Sequence, residues 1–296
     1  SHIRFRAVFP KAFPGNSHVM KLFSPEFLHR LVIKERYDIE VAYLEGPASR
    51  IISGYTDPNT KTVCWIHCTM KSEQEFSLGF RSFVEAKQCY SRFDRSVFVS
   101  RDVMTAFADF CTSGSMQVCY NTNETVRMQE QAKEPVEEGL FPEGEFHVIG
   151  TGKLVPIKGF DRLALIHRRL RREGYPVHTW VLGTGEEEQK LCAFVRDNGL
   201  ENSFTLLGYQ TNPYKYVSKC HLFVCSSHSE GFSTAATEAL IVGTPVCTVE
   251  VSGMKEMLGE NNEYGIVTEN DEDALYAGLK KLLDDPALLS HYAKQA

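Results

Sequence analysis

The sequence has 296 residues, of which 43% are hydrophobic and 24% are charged, and its formal net charge is −6. This length and apolar content are enough for two domains that each have a hydrophobic core. The net negative charge lacks the one-sided basicity that is typical of nucleic-acid-binding proteins, so we expect no nucleic-acid partner and a local site for any anionic ligand.

The nine cysteines are scattered along the chain and form no C-x-x-C pair. This distribution is typical of reduced thiols in a cytoplasmic protein and predicts no zinc site. The sequence shows no signal-peptide core and no apolar stretch near the roughly 20 residues that a transmembrane helix needs. A peripheral contact at the inner face of a membrane is one interpretation of the basic and aromatic residues near the start, and ordinary surface is the more frequent one. These residues are Arg4, Phe5, Arg6, Phe9 and Lys11.

In the first half, short β-branched or aromatic runs alternate with helical patterns, which is typical of a parallel sheet with crossover helices. Strands are predicted at residues 38–43, 62–67, 96–99 and 117–120, with helices between them. Before residue 37 there is one helical pattern, 25–34, and no glycine-rich turn of the kind that normally opens a Rossmann-like domain. We therefore expect an α/β domain over residues 1–125 that is incomplete at its start.

The stretch that follows is rich in charges, contains two prolines and has little apolar periodicity. It predicts an interdomain connection over residues 126–145, with one short helix. The alternation then resumes, with strands predicted at 146–150, 177–182, 203–206, 221–225, 245–248 and 264–267. Helices are predicted at 158–172, 186–198, 212–219, 233–242 and 271–283, and Pro286 is expected to stop the last of them. The second α/β domain, residues 146–296, is expected to be whole.

The segment 221–256, HLFVCSSHSEGFSTAATEALIVGTPVCTVEVSGMKE, contains the most informative residues. An apolar strand runs into a small polar turn with Glu230, and a helix starts near Ser233 or Thr234. Glu230 thus lies just before a helix N-terminus, where unpaired amides and the dipole favour an anion, and Glu238 lies one turn into the helix. From this pair alone, the more frequent interpretation is a helix cap and a solvated surface acid.

The surroundings of the pair resemble the donor site of the group 1 (family 4) retaining glycosyltransferases. Glu230 and Glu238 form the E-x7-E element, and the flanking S-x-x-EGF, EAL-x-x-G-x-PV and SG-x-x-E patterns match that family in order and spacing. Upstream, three segments look like the family's basic loop, its next strand–turn–helix and its base-side loop. They are GTGKLVPIKGFDRL (150–163), VLGTGEEEQKL (181–191) and LLGYQTNPYKY (206–216). The resemblance covers nearly all of residues 146–284.

A weaker resemblance extends into the first half, where four segments are similar to the acceptor-side domain of bacterial members that build polysaccharides and capsules. They are YDIEVAYLEGPASRIIS (37–53), TVCWIHC (62–68), VFVSRDVMTAF (97–107) and VCYN (118–121). The resemblance therefore implies the GT-B fold, in which two α/β Rossmann-like domains face a cleft, with the N-terminal domain truncated here.

The resemblance also implies roles for individual residues. Lys153 and Lys158 occupy the family's two cation positions and would bind the leaving diphosphate, although the family usually has arginine where Lys153 stands. Glu230 would bind hydroxyls of the donor sugar, and Glu238 would accept both ribose hydroxyls. Further donor contacts are implied for Gly152, Gly185, Tyr209, Gly231, Phe232, Ser233 and Thr234.

A catalytic role is implied for Glu230, Lys158 and His67. His67 stands at the end of a predicted strand and matches a family histidine near the sugar. Taken alone, a histidine at the end of a strand is more often a structural residue.

The implied activity is transfer of a hexose with retention of configuration, in polysaccharide biosynthesis. The substrate would be a nucleoside-diphosphate sugar, with a UDP sugar favoured, and the acceptor a glycan or a lipid-linked molecule. No metal and no cofactor are expected, because the two lysines and the helix amides would already neutralise the leaving diphosphate. A noncatalytic nucleotide-sugar-binding protein and a nucleotide-sugar epimerase of the same architecture remain as alternatives. A dinucleotide-dependent oxidoreductase is disfavoured, because GTGEEE (183–188) lacks the third glycine of its motif.

Overall fold

The computed structural model describes residues 19–112 and 114–296. The chain divides into two compact units, a first unit that ends at Tyr120 and a second unit that runs from Asn121 to Ala296. The predicted membrane contact through residues 4–11 lies outside the described residues. Within the described part of the chain, no helix is long and apolar enough to cross a membrane.

The first unit is an α/β structure around a parallel sheet. Its strands are β1 (Ile39–Ala42), β2 (Lys61–Ile66), β3 (Arg95–Phe98) and β4 (Ser115–Val118). They lie in the same order in space as in the chain, and each pairs in parallel with the next. The helices described in full are α1 (Pro25–Val32), α2 (Pro47–Ile52), α3 (Glu73–Phe76), α4 (Phe83–Tyr90) and α5 (Arg101–Ala108). The four predicted strands of this half are confirmed.

Serine residues fix the starts of α1, α4 and α5. The hydroxyl oxygens of Ser24, Ser82 and Ser100 each accept a hydrogen bond, at 3.2 Å, from the backbone amide three residues later. Such N-caps satisfy one of the amides that a helix start leaves without an intrahelical acceptor.

A buried ion pair lies between α2 and α4. The Arg50 side chain is 0% exposed, and its Nε and Nη2 donate to the two carboxylate oxygens of Glu85 at 3.2 and 2.9 Å. The same guanidinium donates to the backbone carbonyls of Met20 and Phe23, at 2.8 and 2.7 Å. Arg50 therefore connects two helices with the segment that precedes α1.

The second unit is built around a larger parallel sheet. Its strands are β5 (Phe146–Thr151), β6 (Val177–Leu182), β7 (Phe204–Gly208), β8 (Leu222–Cys225), β9 (Val246–Val249) and β10 (Ile266–Thr268). They lie in the order β10-β9-β8-β5-β6-β7. All residues of β6, β8 and β9 are buried, as expected for strands that helices cover on both faces.

The helices of the second unit are mostly those that the sequence predicts. They are α6 (Thr125–Ala132), α7 (Phe160–Arg172), α8 (Glu188–Asp197), α9 (Tyr214–Val217), α10 (Thr234–Ile241), α11 (Met254–Leu258), α12 (Glu272–Asp284) and α13 (Pro286–Gln295). A 3₁₀ turn, Pro156–Lys158, precedes α7. The predicted helix 212–219 is confirmed but shorter, because only Tyr214–Val217 is helical.

The expectation that Pro286 stops the last helix is wrong in one respect. Helix α12 does end at Asp284, but Pro286 is the first residue of a further helix, α13. Proline is well suited to the first turn of a helix, since its fixed φ is helical and its missing N–H would have no intrahelical acceptor. The carboxylate of Asp285 caps this helix by accepting from the Leu288 amide at 2.9 Å.

The short helix predicted in the polar connection is α6, and it packs on the second unit. The carbonyl of Gln131 accepts from Asn212 Nδ2 at 2.9 Å, and the carbonyl of Ala132 accepts from Ser218 Oγ at 3.1 Å. These contacts lie within the second unit. The functional division into residues 1–125, 126–145 and 146–296 stays a prediction.

Candidate functional site

The candidate site lies where β5 and β8 end, side by side, in the middle of the second sheet. These strands are parallel neighbours although β6 and β7 come between them in the chain. After β5 the chain continues toward β6 on one side, and after β8 it continues toward β9 on the other. Crevices at the carboxyl ends of such strands are the usual ligand sites of open α/β sheets.

Lys158, Ser227 and Glu230 meet at this position. Lys158 Nζ donates to Glu230 Oε1 at 2.6 Å, and Ser227 Oγ donates to the same oxygen at 2.7 Å. The side chains of Lys158 and Glu230 are 31% and 12% exposed. The structure therefore brings together two residues that the sequence predicts for this site, from loops 72 residues apart.

The start of α10 adds helix amides to the site. Ser233 is its N-cap, and the Ser233 hydroxyl accepts from the Ala236 amide at 3.3 Å. Ser233 is buried and Thr234 is exposed. The first amides of a helix point outward along its axis, which makes such a start favourable for an anion.

A small cavity of about 20 Å³ lies between these groups, lined among others by Thr151, Lys158, Glu230 and Ser233. This volume holds roughly one water molecule. A phosphate group is larger than this cavity.

A larger pocket of about 410 Å³ adjoins this cavity and shares Thr151 with it. The volume is typical of small-molecule sites. The pocket is lined by Thr151, Gly152, Lys153, Leu182, Gly183, Thr184, Tyr209, Gln210 and Pro213. Three predicted residues, Gly152, Lys153 and Tyr209, thus share one pocket. Lys153 is exposed, and among the described residues its ammonium group has no hydrogen bond or ion pair.

Gly185 has a packing role that the sequence does not reveal. A Cβ atom at this position would lie 2.2 Å from the carbonyl oxygen of Leu154, which is too close for any other residue. The Leu154 amide also donates to the Thr184 carbonyl at 2.9 Å. The loops after β5 and β6 therefore lie directly against each other, and Gly185 permits this contact.

Gly159 serves a similar purpose between the loops after β5 and β8. It has a φ of +62°, and an added Cβ would lie 2.1 Å from the Ser226 carbonyl oxygen. Ser226 Oγ donates to the Lys158 carbonyl at 3.1 Å. This close approach holds Lys158 beside the β8 loop.

Glu238 lies on α10 and is half-buried. Burial raises the pKa of its carboxyl group. Burial also raises the pKa of Tyr214, and the nearby Glu238 carboxylate adds to that rise. Within the described part of the chain, no hydrogen bond or ion pair satisfies the Glu238 carboxylate. It could therefore accept hydrogen bonds from a ligand.

Phe232 and Gly231 complete the turn before α10. Gly231 is buried. The Phe232 ring occupies the space where Gly253 would carry a side chain, since an added Cβ would lie 2.5 Å from Phe232 Cδ2. The SG-x-x-E pattern therefore contributes a glycine that supports this turn.

His67 belongs to the first unit, directly after β2. Its backbone amide donates to Glu45 Oε2 at 2.9 Å, and its ring lies 4.8 Å from that of Tyr43. Burial lowers the pKa of His67. His67 Nε2 and the neighbouring Trp65 Nε1 are both buried without a hydrogen-bond partner among the described residues. The two rings are stacked with centroids 6.2 Å apart, so both nitrogens lie on one face of the sheet.

A second cluster beside the site was not predicted. Arg162 on α7 is 6% exposed. Its Nη2 donates to His228 Nδ1, and its Nη1 donates to Asn270 Oδ1 at 2.9 Å. The backbone amide of His228 donates to the carbonyl of Ile157 at 2.8 Å. His228 and Ile157 are close in sequence to Glu230 and Lys158, so the cluster adjoins both.

Across residues 19–112 and 114–296, no group of three or more histidine, cysteine, aspartate or glutamate residues could hold a metal ion. All nine cysteines are free.

A family described as "Glycosyl transferases group 1" matches residues 131–296. A relative from Campylobacter jejuni subsp. jejuni serotype O:2 is 34% identical over 294 residues, which cover 96% of this chain and 78% of the relative. It is named N-acetylgalactosamine-N,N'-diacetylbacillosaminyl-diphospho-undecaprenol 4-alpha-N-acetylgalactosaminyltransferase.

Two solved structures show the fold. Sucrose-phosphate synthase from Thermosynechococcus elongatus has a TM-score of 0.76 and 16% identity, over 97% of this chain and 75% of that one. HepE from Anabaena in complex with UDP has a TM-score of 0.71 and 18% identity, over 92% and 74% of the two chains. These neighbours are GT-B proteins, so the predicted fold class is confirmed.

Proposed function

The chain belongs to the group 1 glycosyltransferases, and from this we propose that it moves a sugar from a nucleoside-diphosphate sugar to a glycan or lipid-linked acceptor, with retention of configuration and without a metal ion. The observation that carries the proposal is the meeting of Lys158 and Glu230 beside the start of α10, next to a pocket that holds Lys153. The two lysines and the amides at the start of α10 would bind the diphosphate, and the Glu230 carboxylate would accept hydrogen bonds from sugar hydroxyls.

The diphosphate would draw Lys158 away from Glu230. In the structure the lysine is paired with the carboxylate at 2.6 Å, and the cavity that both residues help to line is water-sized. A phosphate offers Lys158 a stronger acceptor, and Lys153 and the amides at Ser233 and Thr234 would complete the neutralisation. Glu230 would then be able to bind the sugar. The positive groups would stabilise the charge that develops on the leaving group.

Glu238 would serve the ribose. Its half-buried carboxylate has a raised pKa, and it lies on α10, one turn beyond the helix start. Two hydroxyl donors would satisfy the half-buried carboxylate, which supports this assignment. Tyr209, which is 74% exposed at the edge of the larger pocket, would lie near the base.

The donor and acceptor classes are supported by the comparisons. The similarity to HepE in complex with UDP supports a UDP sugar as the donor. The name of the Campylobacter relative includes diphospho-undecaprenol, which supports a lipid-linked acceptor and contact with the inner face of a membrane from the cytoplasm. We assign the acceptor side to the first unit, where His67 and Trp65 carry buried ring nitrogens without partners.

Product analysis with and without an acceptor tests the function. Transfer requires an acceptor and releases a nucleoside diphosphate. An epimerase would alter the sugar nucleotide without an acceptor, and a binding protein would release no product. The anomeric configuration of the product, determined by NMR, tests retention. A thermal-shift panel of UDP, GDP and ADP and their sugars identifies the donor, because a ligand at 100 times its Kd stabilises the folded state by about 2.7 kcal/mol.

We predict that Lys153→Ala and Lys158→Ala each weaken nucleoside-diphosphate binding roughly 10- to 100-fold, because a hydrogen bond to a charged group contributes about 1.5–3 kcal/mol. Nucleoside binding should barely change, since a nucleoside has no phosphate. Isothermal titration with UDP and uridine measures both. Lys281→Ala, at an exposed lysine on α12, is the matched control. Equal losses for uridine and UDP would rule out a phosphate contact.

A chelator should leave sugar transfer intact. The two lysines and the helix amides would neutralise the leaving diphosphate, so a divalent ion would have no required role. Transfer rates measured with EDTA, and again after addition of magnesium or manganese, check this. A rate that collapses with EDTA and returns only with the metal would contradict metal independence.

A further inference from the structure

We propose that Asn270 is a positioning residue for sugar transfer, because it tethers the loop that carries Glu230 to the buried Arg162. The inference rests on the proposed function and goes beyond it, since neither residue would touch the donor.

Asn270 connects three parts of the second unit through one side-chain amide. Its Oδ1 accepts from Arg162 Nη1 at 2.9 Å. Its Nδ2 donates to the backbone carbonyl of His228 at 3.1 Å and to that of Glu250 at 3.3 Å. Helix α7, the loop after β8 and the loop after β9 are therefore joined at one point.

Arg162 determines which ring nitrogen of His228 acts as the hydrogen-bond acceptor. A guanidinium group can only donate, so the Nδ1 atom that receives its hydrogen bond carries no proton. Neutral His228 then holds its proton on Nε2. The ring is thereby fixed in one tautomer and one orientation, with both its backbone carbonyl and its side chain bonded to the cluster.

The tether acts on both functional side chains. His228 lies two residues before Glu230, and its amide donates to the carbonyl of Ile157, the residue before Lys158. Displacement of His228 would therefore move the Glu230 carboxylate and the Lys158 ammonium together. Groups that react or bind at a transition state must be placed to within a fraction of an ångström, and a shift of 1 Å can cost about 100-fold in rate.

Because Arg162 is buried, its hydrogen bonds to His228 and Asn270 are strongly favoured. Arg162 is 6% exposed, and a buried guanidinium without partners is costly, so its two side-chain acceptors are held in place. Asn270 itself is exposed and contributes nothing to the hydrophobic core. Removal of its side chain should therefore loosen the loop without unfolding the unit.

The test compares Asn270→Ala with Asn198→Ala. Asn198 is a matched control because its Oδ1 accepts from Arg168 on the same helix, at 3.1 Å, away from the site. We expect Asn270→Ala to lower kcat by about 10- to 100-fold while the donor KM changes by less than about threefold, and Asn198→Ala to change neither. Both variants should remain folded at the assay temperature, which thermal melts check, although Asn270→Ala takes one acceptor from the buried Arg162.

Asn270→Asp separates the acceptor function of the Asn270 amide, toward Arg162, from its donor function, toward the His228 carbonyl. It retains an acceptor for Arg162 and loses the donor to the His228 carbonyl, so kcat should fall as far as in Asn270→Ala. A wild-type kcat in either Asn270 variant would overturn the proposal.

Hydrogen exchange gives a readout that does not depend on activity. The His228 amide, bonded to Ile157, should exchange at least about 10-fold faster in Asn270→Ala and unchanged in Asn198→Ala. An unchanged rate in Asn270→Ala would overturn the tether. If the wild type transfers no sugar from any nucleotide sugar, the proposed function fails, and the exchange rates still decide whether Asn270 fixes the loop.

Discussion

Replacement of Glu230 by glutamine should reduce sugar transfer at least about 100-fold while the affinity for the nucleoside diphosphate stays within a few-fold of the wild type. A carboxylate can accept hydrogen bonds from sugar hydroxyls with both oxygens, whereas a glutamine amide has one acceptor oxygen and presents a donor in place of the other. Each lost hydrogen bond to a charged group costs about 1.5–3 kcal/mol, and 100-fold in rate corresponds to about 2.7 kcal/mol.

The ion pair between Lys158 and Glu230 adds a prediction about UDP affinity. Lys158 loses its carboxylate partner in Glu230→Gln and becomes available to the diphosphate, so UDP should bind as tightly as to the wild type or more tightly. Glu238→Gln should instead weaken the binding of both nucleoside and nucleoside diphosphate, because both contain the ribose. Transfer assays and titrations with UDP and uridine measure these differences, with the exposed Glu201→Gln as the control. If Glu230→Gln weakened uridine binding and Glu238→Gln did not, the two roles would be reversed.

Arg50→Leu should destabilise the first unit by about 3–5 kcal/mol, the cost of removing one partner from a buried ion pair. The substitution removes the Arg50 guanidinium from Glu85, which is 14% exposed, and deprives the carbonyls of Met20 and Phe23 of their donor. Urea unfolding followed by hydrogen exchange of α2 and α4 measures the loss for this unit separately, because two units need not unfold in one step.

Arg36→Leu provides the matched control. Arg36 pairs with Asp57 at 2.6 Å, but the two side chains are 67% and 31% exposed. Exposed pairs contribute at most about 1 kcal/mol. UDP binding by the second unit should be unaffected in both variants. Similar stability losses for Arg50→Leu and Arg36→Leu would show that burial of Arg50 adds nothing.

The strands of the second sheet could be predicted because their side chains are buried on both faces. VHTWVL at β6 and LFVC at β8 are continuous runs of residues that favour strands, and such runs are typical of parallel sheets. Helix α13 is not predicted from the sequence because proline is common both just after the end of a helix and in the first turn of one. Only the carboxylate of Asp285, three residues before the amide that it caps, distinguishes the two cases.

The candidate site was predictable where its residues lie in one segment. Glu230 and the start of α10 follow from local sequence, and Ser227 could have been found, because S-x-x-E places a hydroxyl three residues before the carboxylate. Arg162 and Asn270 could not, since 108 residues separate them and Arg162 is one of several arginines on α7. Arg162 lies four residues before the buried Ile166, but nothing in the local sequence shows that a charged side chain at this position is buried.

The strand order has a consequence for how the two units fold during synthesis. Among the described strands of the first sheet, β2, β3 and β4 each pair with the strand made just before them, so this pairing can proceed as the chain emerges and requires only short loop closures. In the second sheet β5 can pair with β6 soon after both are made, but its other edge stays unpaired until β8 is made. The hydrogen-bonded residues His147 of β5 and His221 just before β8 are 74 positions apart. Until then β5 is an open edge that carries the apolar residues Phe146, Val148 and Ile149, and such edges promote aggregation of nascent chains. Chaperone dependence during synthesis should therefore be concentrated between the emergence of β5 and that of β8.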